Sequence, residues 1–227
     1  MKIPDRPHYP QEDNYSWLPI LLDAYAICDD GLRREIATEE ERRGMPVACS
    51  QGCAACCRQH DIPVSTPEFM GMVWYVTEVL DEGIRDELLK SLTPPGQTAQ
   101  CQFLKDGSCS IYPARPLACR EFVVYRRACA EGEDPFHTRP DDMHPATPDR
   151  RLQTALRFLD SPVYNLSTRK KKIAAYNKGV MYKFIPGMHE IDWRILIDLA
   201  EFTGQALQAE HEGLGEPARS PQPVASP

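Results

Sequence analysis

Four thiols fall within nine residues, at Cys49, Cys53, Cys56 and Cys57, in a chain that otherwise spends cysteine sparingly. Thiolates are soft donors that suit zinc, copper(I) and iron-sulfur clusters, and a Cys-x-x-Cys lets two of them reach one metal from a single turn of backbone. Cys53 and Cys56 have that spacing. Cys49 would share a side with Cys53 if the stretch were helical, whereas Gly52 invites a turn. Adjacent Cys56 and Cys57 cannot easily point the same way, so they address different metals or divide into a ligand and a spare. Further along the chain Cys101, Cys109 and Cys119 are spread around a short turn. These seven of the nine cysteines are the candidate metal ligands.

The spacing leaves the metal open. Mononuclear zinc usually shows two short knuckles, but the second set is Cys-x7-Cys-x9-Cys. A [4Fe-4S] cluster takes four thiolates, yet the arrangement differs from the bacterial ferredoxin run, and seven thiols exceed what one such site uses. The plain alternative for any one of them is a buried apolar thiol. Cys28 lies in an apolar helical stripe and is read as core. Cys129 has no partner at useful spacing and stays open between ligand and bystander. His60 is read as a polar neighbour of the thiols rather than a ligand, while His137 and His144 fall in a loop. Arg58, Arg115 and Arg120 flank cysteines, where guanidinium groups could offset the negative charge of bound thiolates.

The elements that must position these residues are mostly helical. Leu18, Leu21, Leu22, Tyr25, Cys28, Leu32 and Ile36 recur at three and four, which predicts a helix from about Ser16 to Arg43, ended by Gly44 before Pro46. Ser65-Thr66-Pro67-Glu68 has the chemistry of a helix start, with Phe69, Met72, Val73, Val76 and Leu80 as the buried stripe behind it. A short helix is expected from Ile84 to Leu92. Asp106-Gly107 between apolar pairs predicts a tight hairpin that would bring Cys101 and Cys109 together. The Arg115-Pro116 turn could return Cys119 to them, with Cys53 and Cys56 as a chelating pair from the other segment. Residues 130–148 read as an irregular connection, long for a structureless loop, that could cover the site. Helices are expected again at 149–159, 168–178 and 192–210, the last with Ile195, Leu196, Leu199, Phe202 and Leu207 inward. The fold class is mainly α: a single helical domain, 15–212, containing the cysteine segment 49–122, a small hairpin and a cysteine-rich metal site. Residues 1–14 and 213–227 read as disordered tails because they are rich in proline and lack apolar periodicity.

Composition narrows the function. With 227 residues, 42% hydrophobic and 26% charged, the chain is an ordinary candidate for one core with tails. A net charge of -7 gives no reason to expect nucleic acid or an anionic membrane as partner. No apolar run is long enough to span a bilayer and the start lacks a secretory core, so a cytoplasmic location is expected. Nine cysteines cannot all pair internally, and a reducing compartment disfavours disulfides in any case. The basic run Arg169 to Lys172 reads as a solvated helix face. No glycine-rich phosphate loop and no His-Glu-x-x-His is present, so no nucleotide cofactor is indicated.

Two motifs carry a family resemblance: Cys53-Ala-Ala-Cys56-Cys57, and Cys101-x-Phe103-Leu104 continuing through Gly107-x-Cys109-x-Ile111-Tyr112 to Arg115-Pro116-x-x-Cys119-Arg120. Together they resemble the YkgJ-like cysteine-cluster proteins, a zinc- or iron-chelating domain with a CxxCxxCC signature. The resemblance covers residues 49 to 122, and it departs at Cys49, where three residues rather than two precede Cys53. It implies metal binding, by an iron-sulfur cluster in the first reading and by zinc or iron as the alternative, in electron transfer, metal handling or a redox step. A rival reading is a zinc-stapled helical scaffold that binds a protein partner through its tails or the 130–148 loop. A third is a catalytic relative of flagellin lysine N-methylase, which is similar in its cysteines, although nothing here resembles a methyl-donor site.

Overall fold

The computed structural model describes residues 2–50, 52–58, 61–182 and 186–201. Its organising element is α1, Leu18–Arg43, which ends at Gly44 in the left-handed conformation, with the Gly44 N–H donating to the Glu40 carbonyl. The three-and-four spacing of Leu18, Leu21, Leu22, Tyr25, Cys28 and Leu32 places all six in the core. Packed along α1 are α2, Thr66–Trp74, which runs on as a π turn over Tyr75–Val79, and above all α6, Pro148–Phe158. Between them in sequence come α3, Glu82–Ser91, the hairpin β1, Leu104–Lys105, with β2, Ser108–Cys109, and the short helices α4, Leu117–Glu121, and α5, Pro135–Thr138. After α6 follow α7, Arg169–Asn177, and a last helix α8, described over 193–201.

The fold class read from the sequence holds: the chain is mainly helical with one small antiparallel hairpin. That hairpin pairs Leu104 with Cys109 and Lys105 with Ser108, and its two turn residues, Asp106 at φ 47° and Gly107 at φ 76°, both take the positive angles a type I′ turn requires. The Ser65 start is also in place: the Ser65 N–H and hydroxyl both donate to Glu68 Oε2, at 2.9 and 2.5 Å. Among the described residues no helix is long and apolar enough to cross a membrane.

Apolar packing divides into two clusters. One joins α1 to α6 and α7 through Leu18, Leu21, Tyr25, Ala155 and Phe158. The other lies below α2 and α3, around Met72, Val76, Phe103, Ile111 and Trp193, and the cysteine segments pack on it.

Three expectations change. The segment before residue 15 is not a loose tail over its described part. Arg6 reaches Glu12 at 2.7 Å and Asp23 of α1 at 2.7 Å, Tyr9 packs edge-on against Trp74, and Pro10–Asp13 form a 3-10 turn. A proline-rich charged stretch is thus tied down by paired charges rather than apolar periodicity. The 130–148 connection is not structureless either: α5 and a turn at Pro140–Asp142 fill it, and Glu133 accepts from Arg127 and Arg139. In α8 the buried residues are Trp193 and Ile197, whereas Ile195 and Leu199 are more than half exposed, so the helix is rotated relative to the expected face. Phe202, Leu207 and the 213–227 tail lie outside the described residues, as does His60.

Candidate metal centre

The two cysteine segments meet backbone to backbone. The Cys101 N–H donates to the Cys57 carbonyl at 2.6 Å, so the 3-10 turn Cys56–Arg58 is clasped to the approach of the hairpin. Cys109 closes β2, and the following turn Tyr112–Ala114 leads through Pro116 into α4, which carries Cys119. That helix is anchored by the buried Arg120. Its guanidinium donates to the Arg115 carbonyl at 2.9 Å, to the Pro113 carbonyl at 2.5 Å and to Asp29 Oδ2 of α1 at 2.5 Å, and lies 3.9 Å over the Tyr25 ring. Cys101 is buried, and Cys57, Cys109 and Cys119 pack partly buried against the same apolar cluster.

Burial and mutual repulsion hold Cys56, Cys101, Cys109 and Cys119 protonated. Cys101 is pushed up to about 12, first by burial and then by Cys109 and Cys56, with the Phe103 and Leu104 N–H groups opposing. Cys119 is raised well above the ordinary thiol range by burial and by Cys101, Cys109, Cys56 and Glu68. Cys109 is raised by burial and by Cys56, while the Ile111 N–H and the Arg115 and Arg120 guanidinium groups pull it back. Cys56 is raised by its hydrogen bond with Cys57 and by burial. Cys56, Cys101, Cys109 and Cys119 therefore form one electrostatically coupled group, fed by both segments.

A second group lies at the rim. Val47 bridges Tyr125, and the Ala48 N–H donates to the Val124 carbonyl at 2.7 Å, which lays the start of the first cysteine segment along residues 124–125. Cys49 is raised by burial and by Cys53, Cys129 and Cys56, and stabilised as thiolate by the Val124 backbone. Cys129 is raised by burial and coupled to Cys53 and Cys56, and Arg139 Nη2 donates to its sulfur at 3.5 Å. Cys53 is exposed. The Cys53 and Cys56 pair is thus divided in its neighbours: Cys53 is coupled to the rim thiols and Cys56 to both groups.

Glu68 is the residue whose part in the centre the sequence did not suggest. It reads as a helix-start carboxylate, yet its side chain is buried, and Oε1 accepts from the Leu117 N–H at 2.7 Å, fixing the start of the Cys119 helix. Burial raises its carboxyl, against its hydrogen bonds and Arg120. Of the flanking arginines, Arg120 is buried, Arg115 is half-buried and Arg58 is exposed. His144 is buried between Tyr125, at 2.9 Å, and Glu35, at 3.2 Å, whereas His137 is exposed, so neither is placed as a ligand of the thiol group. Cys28 is core, buried in the α1 stripe and pushed up to about 12 by burial.

Among the described residues, no three His, Cys, Asp or Glu side chains close on a common point as the ligands of one ion do. In kind, however, the donors fit a thiolate centre: four coupled soft sulfurs, with peptide N–H groups of Phe103, Leu104 and Ile111 directed at two of them. Loading such a set releases thiol protons and draws side chains together about a backbone already fixed. No curated protein and no solved structure matches the chain. Residues 48–142, which hold all seven clustered thiols and Cys129, match the model of the CxxCxxCC family, described as a "Putative zinc- or iron-chelating domain", in agreement with the resemblance carried by the two cysteine motifs.

Proposed function

We propose that this protein binds an iron-sulfur cluster through two cysteine segments, with Cys56, Cys101, Cys109 and Cys119 as the ligand set, and serves a redox or metal-handling step. The observation that carries this reading is the clasp between Cys101 and Cys57, which joins the two segments at the cysteines themselves. Cys101, Cys109 and Cys119 pack on an apolar floor that includes Phe103, Ile111 and Trp193, and backbone N–H groups directed at thiolate sulfur are among the features that set a cluster's potential. Bound there, the cluster would supply one-electron chemistry.

A second reading, zinc as a staple for an interaction scaffold, is favoured by the open cavity of about 1170 Å³ between the N-terminal segment, α1, α6 and α7, which has no cysteine on its wall. A thiol centre away from such a cavity suits a structural metal. Anaerobic purification of the full chain followed by iron, sulfide and zinc analysis separates the two. Iron with acid-labile sulfide, and a visible spectrum that bleaches on reduction, is the expected result; stoichiometric zinc without sulfide would sink the cluster and leave the staple.

A further inference from the structure

The helix that carries Cys119 is fastened to α1 at two consecutive residues. Arg120 reaches Asp29 directly. The next residue, Glu121, is met by Arg150 of α6, which lies beyond the segment that the family model matches. The Arg150 side chain is 2% exposed, and its Nη1 donates to Glu121 Oε1 while its Nε donates to Glu35 Oε2 of α1 at 2.7 Å. One guanidinium thus spans a carboxylate on the Cys119 helix and a carboxylate on α1, which a planar fork of donors can do and a compact ammonium cannot. The surroundings are shaped to it. Glu35 is clamped from elsewhere by the Thr147 hydroxyl and by His144 Nε2 at 3.2 Å, and the His144 ring is itself held at Nδ1 by the Tyr125 hydroxyl at 2.9 Å. Gly31 leaves room for the arginine stem, since a Cβ there would stand 2.8 Å from Arg150 Cδ.

We propose that Arg150 is a positioning residue of the thiol centre, acting through Glu121 to fix where Cys119 stands when a metal is bound. The proposal rests on the reading of Cys119 as a ligand. At five residues α4 is too short to hold its own shape or orientation. Two ion pairs of opposite sense, Arg120 with Asp29 and Glu121 with Arg150, set its rotation as well as its place. Groups behind a metal's ligands orient those ligands and tune the affinity of the site.

The test uses the full chain loaded with cobalt(II), whose d–d bands report the arrangement of thiolate ligands around it. Arg150→Lys keeps a positive charge but cannot bridge both carboxylates. It and Glu121→Ala should each shift the cobalt bands and speed the release of cobalt to a chelator by about tenfold. Glu121→Gln, which keeps an acceptor oxygen for Arg150, should release cobalt more slowly than Glu121→Ala, and the double variant of Arg150→Lys with Glu121→Ala should do no more than either alone. Parental bands and release in Glu121→Ala overturn the proposal, even if Arg150→Lys proves too unstable to purify, and so do additive effects in the double variant. A lowered melting temperature with unchanged bands overturns it too, being the mark of residues that only stabilise the fold. Cys119→Ser keeps the two readings apart: full cobalt retention there refutes the ligand set itself, whereas cobalt loss there beside parental bands in Glu121→Ala refutes Arg150 alone.

Discussion

The core thiols and the rim thiols are built by different physics. Cys101, Cys109 and Cys119 sit on an apolar floor, on three elements locked by backbone hydrogen bonds and by the buried Arg120. Cys49, Cys53 and Cys129 hang from single-residue bridges and from Arg139, and Cys53 is exposed. Cys56 is coupled to both groups. A metal bound by the first group draws its stability from the fold and returns it to the fold.

The comparison is broken most severely at Cys119. Cys119→Ser should abolish bound metal and lower the melting temperature of the metal-loaded protein, whereas Cys53→Ser and Cys129→Ser should retain most metal with little change in melting. Metal analysis beside circular dichroism melts checks this, and equal losses at Cys119 and Cys53 would erase the distinction between the groups. Glu68 comes next. Removing it leaves the Ser65 and Leu117 N–H groups buried without their acceptor, at roughly 1–3 kcal/mol each. Glu68→Ala should therefore cost roughly 2–6 kcal/mol in chemical denaturation and loosen the Cys119 helix, seen as faster amide exchange across Leu117–Glu121.

What the sequence made legible is what short-range rules govern. The α1 stripe, the Gly44 stop, the Ser65 start and the Asp106-Gly107 hairpin each depend on residues within a few positions of one another, so spacing alone exposes them. The company kept by Cys49 and Cys129 depends on an isolated bridge, Val47 with Tyr125, and one bridged pair is too short to leave an alternating pattern. Arg6 shows the same limit: a charged residue among prolines reads as solvated until Glu12 and Asp23 are placed around it. In α8 apolar residues occur on more than one face, and only contact with Phe103 and Phe69 selects Trp193 as the inward one.

The smallest expected effect probes the rim without touching a thiol. Glu39 of α1 pairs with Arg42 at 2.6 Å and with Arg43 at 2.5 Å, and Arg43 in turn lies 4.5 Å over the Tyr125 ring and donates to the Asp141 carbonyl at 2.7 Å. Tyr125 is the residue that bridges Val47, so this ion pair buttresses the strip from which Cys49 starts. The hydrogen bond from Arg42, followed by that from Arg43, holds the Glu39 carboxyl down at about 2 despite opposing burial. Because the folded value is depressed below the unfolded carboxylate value of about 4.3, the stability it contributes is fully present above that pH and is lost as pH falls toward about 2. Glu39→Gln should lower stability by less than about 1 kcal/mol near neutrality, in keeping with a solvent-screened pair. The gap to the parent should close as the pH is taken down from 5 to 2. At neutral pH the variant should show faster thiol labelling of Cys49 and unchanged labelling of Cys101. If Cys101 were labelled faster as well, the rim and the core would be one cooperative unit, and the independence of the two thiol groups would be lost.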